Sequence, residues 1–292
     1  MTALVRSPAK AEVLRALGCR LVYGDLESPL ARSALVSGAE VVYHLAGLVR
    51  APSLAELRRV NRDGAALVAR DAAAAGVSRF LLVSSQAVTG PSPRGVSIDE
   101  AEGSGPVTDY GRSKQEGEAA VRAVGLPLTV VRPPAAYGPG DRAFLPLFRL
   151  AARGLIPLLG DGHQELSLVF AADLARALRA AATSRGTLGG TYHAAHAEVV
   201  TTRRLGEALG RALGRSVRCL RLPGVVLRAV LHAADFLALS GLPSPDKADE
   251  LLAPAWRASS DAILRDAGWR AETDLDRGIA ATAAAYRDAG WL

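Results

Sequence analysis

Short apolar runs recur along the first half of the chain, each closed by a turn and followed by an Ala-, Leu- and Arg-rich stretch. The runs fall near 2–6, 20–23, 40–45, 79–84 and 127–132, and helices are predicted between them, including 54–76 and 110–124. A strand buried on both faces reads as an unbroken apolar run, and the crossover it needs is supplied by the helix that follows. Regular alternation of this kind predicts an α/β fold, a doubly wound parallel sheet with helices on both faces. After Asp141 the pattern changes. Phe144 to Gly154 reads as a helix, Leu166 to Phe170 as a strand, and Ala171-Ala172-Asp173-Leu174 opens another helix. Thr191-Tyr192-His193 and Val217 to Leu220 are strand candidates in a smaller lobe. The predicted organisation is a sheet domain over 1–141 and a lobe over 142–292 interleaved with the last sheet strands.

The chain has 292 residues and is 49% hydrophobic, enough to bury a large core. Its net charge of +6 comes almost wholly from scattered arginines, since Lys10, Lys114 and Lys247 are the only lysines. No basic block or interleaved aromatic run marks a nucleic-acid site. Cys19 and Cys219 stand 200 positions apart, which suits a reducing cytoplasm rather than a disulfide framework. His44, His163, His193, His196 and His232 lack metal-ligand spacing, so no metal is expected. The apolar stretch Leu222 to Leu242 is interrupted by Arg228, His232 and Asp235, which argues against a membrane span. It reads as an amphipathic helix covering a substrate cleft, with a membrane-surface role as the alternative.

Tyr110-Gly111-Arg112-Ser113-Lys114 places a phenol and an ammonium four residues apart, on one face of a helix begun there. A cation beside a phenol lowers a pKa that starts near 10 and makes an acid/base usable near neutral pH. Such spacings are common on helix surfaces, so the neighbouring segments carry the inference. Phe80-Leu81-Leu82-Val83-Ser84-Ser85 is a buried strand delivering hydroxyls at its C-terminal end.

Together these segments resemble the extended branch of the short-chain dehydrogenase/reductase superfamily, the NAD-dependent epimerase/dehydratase group. Phe80 to Gly90 resembles its "F-V-x-x-S-S-x-x-V-Y-G" segment, with Thr89 where the family usually has Tyr. Arg132-Pro133-Pro134-Ala135-Ala136-Tyr137-Gly138-Pro139-Gly140-Asp141 resembles "R-P-x-x-V-Y-G-P-G-D". Tyr43-His44-Leu45-Ala46-Gly47 is similar to the "H-L-A-A/G" strand end, Val60-Asn61-Arg62-Asp63-Gly64 to "V-N-x-x-G", and Gly24-Asp25-Leu26 to "G-D-L". Gly160-Asp161-Gly162 precedes a match to "V-D-D-L-A". The resemblance implies a Rossmann-like fold, Ser85, Tyr110 and Lys114 as catalytic residues, and a bound NADP or NAD. Its cofactor contacts would be Arg6, Asp25, Leu26, Leu45, Ala46, Gly47, Asn61, Ser84, Tyr110, Lys114 and Pro133. A small-molecule partner is implied, and a homodimer is compatible with it.

Two departures sharpen the expectation. Family members open with a strand, a Gly-rich turn and a helix that cradle the pyrophosphate; here Thr2-Ala3-Leu4-Val5-Arg6 already matches the second strand. The expectation is that in-frame codons upstream of Met1 encode the missing strand, turn and helix. Arg6 and Ser7 follow Val5 where an acidic residue would favour NAD, so NADP is expected to be accepted at least as well. Ala135 stands where nucleotide-sugar epimerases and dehydratases carry Asn. That substitution is closer to 3β-hydroxysteroid dehydrogenase and dihydroflavonol-reductase-like members. The expected activity is NAD(P)-dependent interconversion of a hydroxyl and a ketone on a small apolar substrate. Nucleotide-sugar epimerisation and a non-catalytic regulator are the alternatives.

Overall fold

The computed structural model describes residues 1–159, 162–236 and 247–292. Five strands coincide with the apolar runs: β1 (Thr2–Val5), β2 (Arg20–Tyr23), β3 (Val41–His44), β4 (Arg79–Val83) and β5 (Leu128–Arg132). Between them lie α1 (Pro8–Ala16), α2 (Pro29–Val36), α3 (Leu54–Arg58), α4 (Ala65–Ala74) and α5 (Asp109–Arg122). Pro opens α1 and α2, where its missing N–H breaks no helical bond. Ser28, Ser53 and Thr108 cap α2, α3 and α5 by accepting the N–H groups of Ala31, Glu56 and Gly111. The helix predicted over 54–76 is interrupted: Arg59–Gly64 forms a wide π-type turn between α3 and α4.

The later chain supplies β6 (Ala135–Tyr137), β7 (Leu155–Leu159), β8 (Glu165–Leu166), β9 (Leu168–Phe170), β10 (Thr191–His193), β11 (Val200–Thr201), β12 (Arg218–Leu222) and β13 (Ala255–Trp256). Its helices are α6 (Leu145–Ala152), α7 (Ala171–Thr183), α8 (Thr202–Leu213), α9 (Gly224–Phe236), α10 (Lys247–Leu252), α11 (Asp261–Ala267) and α12 (Leu275–Asp288). Gly160 and Asp161, and the end of the apolar stretch over 237–242, lie outside the described residues.

The main sheet runs β10-β5-β4-β3, all parallel. Thr191–His193 therefore belongs to this sheet rather than to the smaller lobe, because it pairs residue for residue with Val130–Arg132. Side chains of β4 alternate between two cores, as the period of two demands. Phe80 and Leu82 pack with Val68, Ala69, Val121 and Val130 on one face. Leu81 packs with Val131, Ala177, Tyr192 and Ile263 on the other. Burial on both faces is why the strand reads as a continuous apolar run.

Strands β1 and β2 form a separate parallel pair. Among the described residues, β1 has no partner on its other edge, and neither has β3. The pair is tied to the body through α2, where Arg32 donates to Asp71 of α4 at 2.6 Å and to the Leu26 carbonyl at 2.7 Å. A third core lies in the smaller lobe, where Phe148, Ile156, Leu209, Ile279 and Tyr286 are buried together. The run predicted as one strand over Leu166 to Phe170 splits at Ser167. On one side β8 pairs with β11 and β13, and on the other β9 pairs with β6.

Candidate active site

The site forms where β4 and β5 end and α5 begins. Backbone bonds from Ser84 to the Val131 carbonyl (2.7 Å) and from Gln86 to the Pro133 carbonyl (2.9 Å) carry the sheet pairing past the strand ends. They fix the orientation of Ser84 and Ser85. The Ser85 hydroxyl accepts the Ala87 N–H at 3.1 Å and is hydrogen-bonded to the Tyr110 hydroxyl. Gly90, with φ of +82°, turns the chain away against the Gly105 carbonyl, a conformation that side-chain-bearing residues rarely adopt.

Tyr110 reaches Ser85 because α5 lies unusually close to this loop. A Cβ on Gly111 would stand 2.6 Å from the Ala87 carbonyl and 2.8 Å from the Pro106 Cβ, so only glycine admits the approach. One turn further, Lys114 is 6% exposed and donates to the Val83 carbonyl at 2.7 Å. Burial lowers its pKa to about 8, partly opposed by the charge of Glu118. The Tyr110 phenol is raised from its ordinary value, chiefly by burial, with the Ser85 hydrogen bond pulling down and the Glu250 charge adding to the rise. The direction is therefore opposite to the lowering expected from a neighbouring ammonium, because desolvation of the phenol is the largest cause.

Asn61 sits on the wide turn between α3 and α4 and acts as a clamp. Its side chain accepts the Leu48 N–H (2.8 Å) and donates to the Leu48 carbonyl (2.8 Å) and the Ser113 hydroxyl (2.9 Å). It thereby holds the loop after β3 against α5. Gly47 lies in that junction, where a Cβ would meet Asn61 Oδ1 at 3.1 Å and Lys114 Nζ at 3.7 Å. Pi-type turns recur at functional sites because they re-aim one side chain without ending the helix.

Arg6, Asp25, Leu26, Leu45, Ala46 and Gly47 line a single cleft of about 430 Å³ with Leu4, Glu27, Leu48, Arg59 and Val60. It opens beside the unpaired edges of β1 and β3. One Asp25 oxygen accepts the N–H groups of Glu27 (2.9 Å) and Ser28 (3.0 Å), which shapes the turn lining the cleft. The remaining sequence-derived residues, Asn61, Ser84, Tyr110, Lys114 and Pro133, cluster beyond Gly47 around Ser85. Ser84 is buried and its hydroxyl has no partner among the described residues. An unsatisfied buried hydroxyl costs about 1–3 kcal/mol, a deficit that a ligand group can remove.

Two residues, Glu250 and Glu118, escaped sequence reasoning. Glu250, on α10, is 140 positions from Tyr110 yet acts on it electrostatically. One of its carboxylate oxygens pairs with Lys247, while Oε2 is buried without a partner among the described residues. Arg132 and Glu118 form a buried pair behind the site through bonds of 2.8 and 2.7 Å. The "R-P" motif located Arg132, but nothing local pointed to Glu118 beyond its place one turn after Lys114. His44 is buried beside Phe80 and held neutral, its pKa lowered to about 3 by burial and by the Lys114 charge. Among the described residues no group of three or more His, Cys, Asp or Glu is placed to hold a metal.

Residues 1–195 match the family model described as the NAD dependent epimerase/dehydratase family. The chain is 36% identical to a ceramide reductase of Caulobacter vibrioides over 99% of its own length and 87% of that protein's. It is 29% identical to a 4-hydroxy-2-methyl-3-oxo-4-farnesyl-3,4-dihydroquinoline-1-oxide ketoreductase of Stigmatella aurantiaca, over 80% of this chain and 72% of the relative. Among solved structures, DesIV, a dTDP-glucose 4,6-dehydratase from Streptomyces venezuelae with NAD and TYD bound, superposes with a TM-score of 0.78. That match is at 23% identity and covers 99% of this chain and 88% of the other.

Proposed function

The chain belongs to the NAD dependent epimerase/dehydratase family, whose members are NAD-dependent oxidoreductases and epimerases, and on that premise we propose that it interconverts a ketone and a secondary alcohol on a long-chain, lipid-like substrate. The observation that carries the chemistry is the hydrogen-bonded Ser85–Tyr110 pair beside the buried Lys114. Two relatives named for lipid-like substrates, a ceramide and a farnesylated quinoline oxide, support the substrate class. Ala135 is exposed on β6 and offers no side-chain hydrogen bond to a nucleotide-sugar.

The cleft from Arg6 to Gly47 and the unpartnered Ser84 hydroxyl suit an extended, polar cofactor. Arg6, Asp25, Leu26, Leu45, Ala46, Gly47, Ser84 and Pro133 would hold a nicotinamide dinucleotide, with Lys114 on its ribose. When bound it supplies or accepts the hydride. The chain's own part is the proton and the orientation. Ser85 would hold the substrate oxygen, and Tyr110 would give its phenolic proton to that oxygen in reduction and recover it in oxidation. A raised phenol pKa keeps Tyr110 protonated near neutral pH, which favours ketone reduction.

A thermal-shift and turnover screen tests the substrate class. The ketone formed by oxidising the secondary hydroxyl of a ceramide should stabilise the cofactor-loaded protein and be reduced. UDP- and dTDP-sugars should do neither, and stabilisation by a nucleotide-sugar alone would replace this reading with epimerisation. For the cofactor, NADP(H) should bind at least as tightly as NAD(H), because Arg6 can pair with a 2′-phosphate. Arg6→Ala should remove that advantage, and a strong NAD preference in the unchanged chain would defeat the claim. Glu250→Gln removes a negative charge that raises the Tyr110 pKa. The alkaline limb of the reduction rate, where Tyr110 loses its proton, should accordingly move to lower pH; an unmoved limb would sever the link.

A further inference from the structure

The inward face of α9 is conventional. Leu227 and Leu231 are 8% and 2% exposed and pack against Ala248, with Leu159, Leu222, Leu251 and Leu252 at the margin. At 100° per residue the opposite side carries Val225, Val226, Ala229 and His232, with Val230 and Arg228 on its two flanks. Val225 is 80% exposed, Val226 44% and Val230 47%, and no described residue covers them. A helix on a water-facing surface places charged side chains there. Here the helix carries three polar side-chain positions, Arg228, His232 and Asp235, and Arg228 is already paired with Asp249 at 2.7 Å. The strand leading into the helix adds Leu220, 54% exposed. Isolated surface valines are ordinary, but four exposed apolar side chains within eleven residues of one strand–helix unit form a patch.

The charges on the segment that leads into α9, residues 215–223, are of one sign. Arg215, Arg218 and Arg221 are exposed on the approach to α9, and none meets a carboxylate among the described residues. An apolar helical face flanked by unpaired cations is the pattern of a helix lying in a bilayer interface, its apolar side among acyl chains and its cations at anionic headgroups. A second copy of this chain is the poorer occupant, since a two-fold contact would set the same arginines against each other. Among the described residues no helix is long and apolar enough to cross a membrane, so the contact would be peripheral.

We propose that α9 and the end of β12 form a docking surface for an anionic lipid bilayer. The surface adjoins the site: α9 packs on α10, and α10 carries the Glu250 that acts on Tyr110. Its use in loading a lipid ketone rests on the proposed function; the docking itself does not.

The test uses the full chain, without cofactor or substrate, sedimented with vesicles of phosphatidylcholine alone or of one part phosphatidylglycerol to two parts phosphatidylcholine. Binding to the anionic vesicles is expected, weakening with added salt. The double variant Val226→Asp/Val230→Asp should bind them about tenfold more weakly, and Val226→Leu/Val230→Leu should retain binding. Both should keep the melting temperature and the turnover of a short, water-soluble ketone. No binding to anionic vesicles, equal binding by the aspartate variant, or a dimer in sedimentation equilibrium that the aspartates dissolve would overturn the proposal. Loss of docking with turnover of the lipid ketone intact would leave the proposed function standing, and docking without any ketone turnover would do the reverse.

Discussion

Replacing Tyr110 with Phe is expected to lower turnover by about 10²–10⁴-fold while cofactor affinity stays near that of the unchanged chain. The substitution keeps the ring and removes only the hydroxyl that meets Ser85. Steady-state kcat on the accepted ketone, beside a fluorescence titration of NADPH, separates the two quantities. Ser85→Ala should cost less, because it removes an orienting hydrogen bond and leaves the proton donor in place. Unchanged kcat in the Phe variant would remove Tyr110 from the chemistry.

The largest effect on stability is expected at Arg132. Its side chain is 11% exposed and makes two bonds to Glu118, itself 5% exposed, and a third to the Glu100 carbonyl at 2.8 Å. Arg132→Met would leave the Glu118 carboxylate buried without this partner, at a cost of about 3–5 kcal/mol. For a chain of this size that is on the order of 10 °C in Tm. Adding Glu118→Gln should recover much of the loss, since no charge is then stranded. Denaturant melts of the single and double variants measure both; a loss below about 1 kcal/mol would show that the pair contributes little.

Much of the framework was legible because it is local. The first five strands were placed within a residue or two by their apolar runs, and helices begin at Ser, Thr or Pro for reasons contained in a few residues. The residues named for the cofactor fell on one cleft and one cluster for a related reason: each lies at or near the end of a strand or the start of a helix, where chemistry collects in sheets of this kind.

What escaped depends on partners distant in the chain. Thr191–His193 looks like any short strand, and its place in the main sheet follows only from its pairing with β5. The break in the helix predicted over 54–76 has no Pro to announce it; it accompanies Asn61 clamping Leu48 and Ser113 across the site. The pKa of Tyr110 is likewise a property of the folded site. Spacing put Lys114 on its helix face, but burial and Glu250 set the direction of the shift, against the pull of Ser85. By itself the sequence determined the strand and helix periods, the capping and the order of the Ser–Tyr–Lys set, all consequences of side-chain pattern over one or two turns. The tertiary structure alone decided which strands adjoin, which charge stands beside the phenol and which face of α9 is left bare. Those depend on desolvation and on contacts between residues far apart in the chain, which no local pattern records.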